Sequence, residues 1–261
     1  MIARFVDDLA SKGQYCFSVK DAVELSNSTD VAVRAALRRL REKGEIAMPY
    51  KGFYIIVPPE YRNMGCLPAE QFIPSLMDHL DEYYYAGLLS AAQYHGAAHH
   101  RPQIFQVVVP KAKNDIECGK VRVKFIFKKK AREIPTEERN TPRGLVRISS
   151  PEATAFDLVG YPDHAGGLDN VATVLMDLTE KLDSNKLAEV AIHSPISWAQ
   201  RLGYIMDLVG EGKKAHSLLS YVYNRRPVSV STPLDRSKPH KGVEKDQRWQ
   251  VLINTKVEAE L

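Results

Sequence analysis

Long apolar runs are missing from this sequence of 261 residues, and no stretch approaches the roughly 20 residues that a membrane-spanning helix needs. The first ten residues carry Arg4, Asp7 and Asp8 where a secretory leader would be uninterruptedly apolar. Cysteine is scarce as well. Cys16, Cys66 and Cys118 are an odd number at wide spacing, which suits neither a disulfide framework nor a Cys-x-x-Cys metal site. These absences predict a cytoplasmic protein with reduced thiols and no membrane partner. Catalytic signatures are lacking too. There is no Gly-x-x-x-x-Gly-Lys, Gly-x-Gly-x-x-Gly, Gly-x-Ser-x-Gly or His-Glu-x-x-His, so no catalytic residue and no cofactor are assigned. No repeat at a fixed period is present.

What is there describes a globular chain with one or two packed cores: 44% of residues are hydrophobic and 26% charged. The net charge of +4 is too mild to announce nucleic-acid binding alone. Its distribution says more. From Arg101 to Arg147 there are 13 Lys and Arg against 5 Asp and Glu, so the middle of the chain is its basic part.

Ile2, Phe5, Val6 and Leu9 share one helical face, and Gly13 ends that helix. Tyr15 to Phe17 suits a short strand, and Ser18 caps a second helix through Leu25. Ser26, Asn27, Ser28, Thr29 and Asp30 then crowd cap-forming residues before a third helix, Val31 to Lys43, stopped by Gly44. Val33, Leu37 and Leu40 form its packing stripe. Arg34, Arg38 and Arg41 lie one residue round. Glu45 to Met48 and Phe53 to Val57 read as a hairpin tipped by Lys51. Three helices and a hairpin predict a winged helix-turn-helix over residues 1–58. In that motif the N-terminus of the third helix faces base edges. A protein-docking module is the alternative, but apolar residues would then be expected at that end.

Residues 59–74, with Pro68, Pro74 and Gly65, read as a linker to a larger mixed domain over 75–261 with a small β-sheet and a C-terminal helical block, an α+β fold overall. Ala86 to His95 suits a helix, and Gln103 to Val109 and Val121 to Phe127 suit strands. The second strand alternates Val121, Val123, Phe125 and Phe127 with Arg122, Lys124 and Ile126. Lys128, Lys129, Lys130 and Arg132 extend it. After an irregular charged segment, Leu145 to Ile148 adds a strand. Ser149 or Ser150, with Pro151 in the first turn, starts a helix through Leu158. Amphipathic helices follow at 170–182, 185–191, 196–209 and 213–223. Residues 224–247 read as an exposed excursion, and Arg248 to Val257 as a returning strand.

His95, His99 and His100, with Asp157, Asp163 and His164, offer the residue types of a hydrolytic metal site. Their spacing matches no ligand pattern and His99-His100 reads as a polar junction, so no metal is assigned. Gly166-Gly167 serves a tight turn, since no strand-to-helix arrangement frames it.

Several segments together are similar to the AbiEi family, the transcriptional-regulator antitoxins of bacterial AbiE systems. They are Val31-Ala-Val-Arg-Ala-Ala-Leu-Arg-Arg-Leu40, Gly52-Phe-Tyr-Ile-Ile-Val-Pro58, Tyr84-Tyr-Ala-Gly-Leu-Leu-Ser-Ala-Ala-Gln-Tyr-His-Gly96, Ser150-Pro-Glu-Ala-Thr-Ala-Phe-Asp-Leu158 and Asp163-His-Ala-Gly-Gly-Leu-Asp-Asn-Val-Ala172. The resemblance spans essentially the whole chain. It implies a type IV antitoxin that counteracts a nucleotidyltransferase-like toxin without an obligatory complex, functions in phage resistance, and represses its own promoter at an inverted repeat in double-stranded DNA. The 224–247 excursion matches none of its motifs. Asn27, Ser28, Thr29 and Arg34 are then placed at the major groove, and Arg38, Lys51 and Lys20 on the backbone. Arg122, Lys124, Lys128, Lys129 and Lys130 extend the footprint. The competing class is an enzyme, a nuclease or protein modifier delivered by the helix-turn-helix.

Overall fold

A computed structural model of the protein describes residues 2–26, 28–97, 103–225 and 230–259. Within them ten α-helices and twelve strands make a mixed α+β arrangement. The chain divides into two compact units. The first gathers Met1–Tyr85, Gln103–Lys129 and Glu138–Arg147, and the second Ala86–Pro102, Lys130–Glu137 and Ile148–Leu261.

The first unit opens with α1 (Ile2–Ser11), β1 (Cys16–Ser18), α2 (Val19–Ser26), α3 (Asp30–Glu42), β2 (Ile46–Tyr50) and β3 (Phe53–Ile56). The periodicity behind α1 is expressed as burial of Ile2, Phe5 and Val6. A reciprocal cap starts α2: the Ser18 amide donates to Asp21 Oδ2 at 2.7 Å and the Asp21 amide to Ser18 Oγ at 3.2 Å. In the hairpin Tyr50 pairs with Phe53. That leaves Lys51-Gly52 as a two-residue turn, and Gly52 takes the positive φ of +81° that such a turn requires. β1 adds to the far side of β3, giving the order β1-β3-β2. Phe17 holds the helices to this sheet, edge-on to Phe5 at 5.4 Å and stacked on Tyr54 at 5.6 Å.

Next along the chain come α4 (Ile73–His79), β4 (Tyr85–Ala86) and α5 (Leu88–Tyr94). Of these, α5 belongs to the second unit, while the first unit holds β5 (Ile104–Val109), β6 (Ile116–Cys118) and β7 (Val121–Phe127), in the order β6-β7-β5 with β5 parallel to β7. The alternation expected of β7 holds through Phe125 and then fails. Ile126 is buried beside Phe125, whereas Phe127 is exposed. The charged segment expected to be irregular is a strand, β8 (Thr136–Thr141), followed by β9 (Gly144–Ser149). Its polar run Thr-Glu-Glu-Arg-Asn-Thr carries no apolar alternation to reveal it.

In the second unit the Ser150 hydroxyl caps α6 (Pro151–Gly160), accepting from the Ala153 amide at 3.2 Å. Eight of the ten residues of α6 are buried, which makes it the central helix. Around it come α7 (Leu168–Leu178), α8 (Ser184–Ile192), α9 (Ile196–Leu208) and α10 (His216–Asn224). The last begins later than expected, because turn bonds from Lys214 to Glu211 and from Ala215 to Gly212 occupy the start. The strand expected over Arg248 to Val257 is short. It pairs as β12 (Val251–Leu252) with β10 (Thr232–Pro233) and β11 (Lys245–Asp246), so the 224–247 excursion supplies two edges of a small sheet; residues 226–229 lie outside the described ones.

That sheet is fastened to α9 by side chains. Buried Arg201 donates to Pro233 O at 2.9 Å and Thr232 Oγ1 at 3.3 Å, and burial brings its guanidinium down to about 10. The Trp249 indole donates to Asp207 Oδ2 at 2.6 Å, and its ring lies flat on Gly203, where a Cβ would stand 2.2 Å from Cζ3. Gly203→Ala would gain about 1 kcal/mol in helix propensity. Overpacking costs about 1–3 kcal/mol, and at this separation the cost exceeds the gain. The variant is expected to melt below the wild type in a thermal scan. An equal or higher midpoint would show that the Trp249 ring yields freely.

Candidate functional site

Helix α3 with its Thr29 cap and the Lys51 turn carry Thr29, Arg34, Arg38 and Lys51 of the residues singled out for nucleic-acid contact. Thr29 caps α3 with extended backbone (φ −69°, ψ 150°), its hydroxyl accepting from the Ala32 amide. Val33 and Leu37 are completely buried and Leu40 nearly so, which fixes the outward face. On it Arg34 Nε bonds Asp30 Oδ2 at 2.6 Å, and Arg38 Nε lies 3.6 Å from Glu42 Oε1. The bond to Asp30 pushes Arg34 up from its already high value, so it is a permanent cation. Both pairs are solvent-exposed, and such pairs are worth little and exchange readily.

Ser28 is half-buried, its hydroxyl bonded to Ser26 O at 3.2 Å, while Lys20 and Lys51 are exposed. Asn27 lies outside the described residues. Two exposed residues on α3 escaped the sequence reading: Arg39, hidden by the focus on a single stripe, and Val31, whose apolar side chain is 78% exposed at the N-terminal turn. A full helical wheel would have found both.

The basic strand is less uniform than its charge count suggests. Arg122 is exposed, but Glu117 stands opposite it on β6, and Lys124 Nζ bonds Asp115 Oδ2 at 2.7 Å. Lys128 is buried, which takes it off the outward face that a phosphate contact needs. Lys129 is exposed. Arg122, Lys124 and Lys129 share the compact unit of α3 and the Lys51 turn, whereas Lys130 belongs to the second unit and lies 3.3 Å from Glu133. Glu133 also meets His193 Nδ1 at 3.1 Å, and these partners hold its carboxyl below the usual range.

The histidine group does not form a metal site among the described residues. His95 is buried with Nε2 2.8 Å from Ser149 O, which occupies that nitrogen structurally; His99 and His100 lie outside the described residues. Two cysteines far apart in sequence do meet: Cys66 and Cys118 are joined by a side-chain hydrogen bond, which raises the first thiol and lowers the second. No helix among the described residues is long and apolar enough to cross a membrane.

Two family models match the chain. Residues 4–57 fit the transcriptional regulator, AbiEi antitoxin model, and residues 85–208 fit the AbiEi antitoxin C-terminal domain. The chain belongs to the AbiEi antitoxin family. The regulator part of the AbiEi match covers α1 to β3, and the C-terminal part runs from β4 to the end of α9. No curated protein matches the AbiEi chain. A crystal structure of the RV2827C protein from Mycobacterium tuberculosis shares its fold, covering 95% of this chain and 89% of that one with a TM-score of 0.67 at 20% identity.

Proposed function

We propose that the protein is an antitoxin that represses its own operon, with residues 1–58 acting as a winged helix-turn-helix on double-stranded DNA. The observation that carries this reading is α3: its apolar stripe is buried while Thr29, Arg34, Arg38 and Arg39 are exposed along the outward side. A helix presented in this way suits a major groove, with its N-terminal residues on base edges. Val31 adds an exposed methyl pair at that end, the chemistry that contacts a thymine methyl. Arg38, Lys51 and Lys20 are assigned to phosphates, with Arg122, Lys124 and Lys129 extending the footprint. The toxin is taken to be nucleotidyltransferase-like, and its neutralisation as type IV, without an obligatory complex; a role in phage resistance goes with that reading. Residues 75–261 are assigned to antitoxin activity.

A gel-shift assay with the protein's own promoter fragment tests the repressor reading. The fragment is expected to bind at least tenfold more tightly than random DNA at physiological salt, with a steep loss of affinity as salt rises. Equal affinity for both DNAs across a salt titration would overturn it.

A further inference from the structure

The turn between β6 and β7 rests on the segment that leads from the three-helix module to α4. Cys118 pairs with Val121, so Gly119 and Lys120 form a two-residue turn, with Gly119 at a φ of +57°. The Lys120 amide donates to Met64 O at 2.8 Å. Gly119 lies backbone to backbone on Gly65, where a Cβ would stand 2.9 Å from Gly65 Cα. Two glycines thus let the two segments touch, and Cys118 and Cys66 are the residues that adjoin the contact, one on each side. Their sulfurs meet there: Cys66 donates its S–H to the Cys118 sulfur. Both are free thiols, and both belong to the first unit.

The two thiols are unequal. Cys66 is completely buried, and its bond to Cys118, with desolvation added, keeps its proton in place. Cys118 is half-buried and so within reach of a small solute. Its sulfur receives the Cys66 S–H and the Met48 backbone N–H, and the charge of Arg41 adds to them, which favours the thiolate against the cost of burial. Arg41 is held at that place by Met48, whose Sδ accepts from Arg41 Nη1 at 4.0 Å. The thiolate is the form of cysteine that attacks an oxidant, and a reachable one beside a second thiol is the arrangement that ends in a disulfide. Cys16 stands aside: Ser75 bonds its sulfur, and burial pushes the thiol up to about 11. We propose that Cys66 and Cys118 are a modification site for a hydroperoxide, with Cys118 as the attacking thiol and Cys66 as the resolving one. The Cys118 sulfur attacks one peroxide oxygen, the O–O bond breaks, and the other oxygen takes a proton and leaves as water or an alcohol. Cys66 then attacks the sulfenic acid on Cys118; the S–O bond breaks, the S–S bond forms, and the hydroxyl leaves as water with the Cys66 proton. The two thiols give up two electrons and the peroxide takes both. This site rests on the packing of the first unit and is independent of the DNA-binding reading.

The test exposes the reduced full chain to hydrogen peroxide, then counts thiols after denaturation and maps the peptides by mass spectrometry. Free thiols are expected to fall from three to one, the chain to lose two hydrogen atoms, and one peptide pair to join Cys66 to Cys118. Dithiothreitol should restore all three thiols. Cys16→Ser should leave the linkage intact. Cys66→Ala keeps the attack and removes its resolution, so dimedone should then trap Cys118 as the sulfenic acid adduct. Cys118→Ser, at a half-buried position, should leave Cys66 and Cys16 reduced under the same exposure. Circular dichroism of each variant before oxidation shows that its fold is kept, and the wild-type linkage decides the matter without them. Three thiols unchanged by peroxide, a linkage through Cys16, a bridge formed only between two chains, or Cys118 oxidised in the wild type without joining Cys66 would each overturn the site.

Discussion

Leu37→Ala is expected to destabilise the first unit by about 2–5 kcal/mol, the range for emptying a well-packed core position. Leu37 is completely buried in the cluster that joins α1, α2 and α3 to the sheet, with Val33, Phe5 and Phe17. A natural domain holds only about 5–15 kcal/mol in total, so such a loss removes a large share of the unit's stability. Urea unfolding followed by far-UV circular dichroism measures it. The variant should also lose promoter binding, since α3 would no longer be held. Arg34→Ala should contrast with it, keeping the unfolding curve and losing only affinity and sequence preference. A Leu37→Ala protein with wild-type unfolding would mean that α3 packs through another face.

The double variant Arg34→Ala/Lys51→Ala is expected to lose promoter binding by at least tenfold and still protect cells from the toxin. The first change removes a proposed base contact, for which good pairs give about 5- to 150-fold discrimination; the second removes a proposed phosphate contact and should flatten the salt slope. Neither side chain is part of the core: Arg34 is exposed and pairs with Asp30 on its own helix, and Lys51 sits in the exposed turn. With the toxin expressed from an independent promoter, repression cannot contribute to rescue. Growth equal to that with the wild type is the expected result. Loss of protection by a double variant with an unchanged melt would place toxin control in the DNA-binding module. Point changes serve better than truncation here, because the first unit is discontinuous in sequence and removing its first residues would strip β6 of its packing against β2.

Much of the N-terminal architecture was legible, because local rules act there without competition. Ser18, Thr29 and Gly52 are cap and turn residues whose chemistry is decided within three or four positions, and the stripe of Val33, Leu37 and Leu40 needs only helical geometry. The basic strand was legible as a strand but not as a surface. Lys128 is buried and Lys124 is met by Asp115 from the segment before β6, and neither fact leaves a trace in a local charge count. β8 was missed because its residues are polar on both faces. Gln71 and Arg143 are far apart in the sequence, one before α4 and the other in the β8–β9 turn, and only the folded first unit brings both to the lining of one cavity.

The placement of Trp198 and Trp249 has an optical consequence. The sequence holds two tryptophans, and both lie buried in the second unit, one against Gly160 and the other against Gly203. Indole emission therefore follows that unit alone, and the first unit, with tyrosine and phenylalanine only, is dark when indole is excited selectively. Circular dichroism weighs helices in both. Transitions that coincide in the two signals would mean that the units unfold as one cooperative body, and transitions that separate would give each its own stability from a single titration.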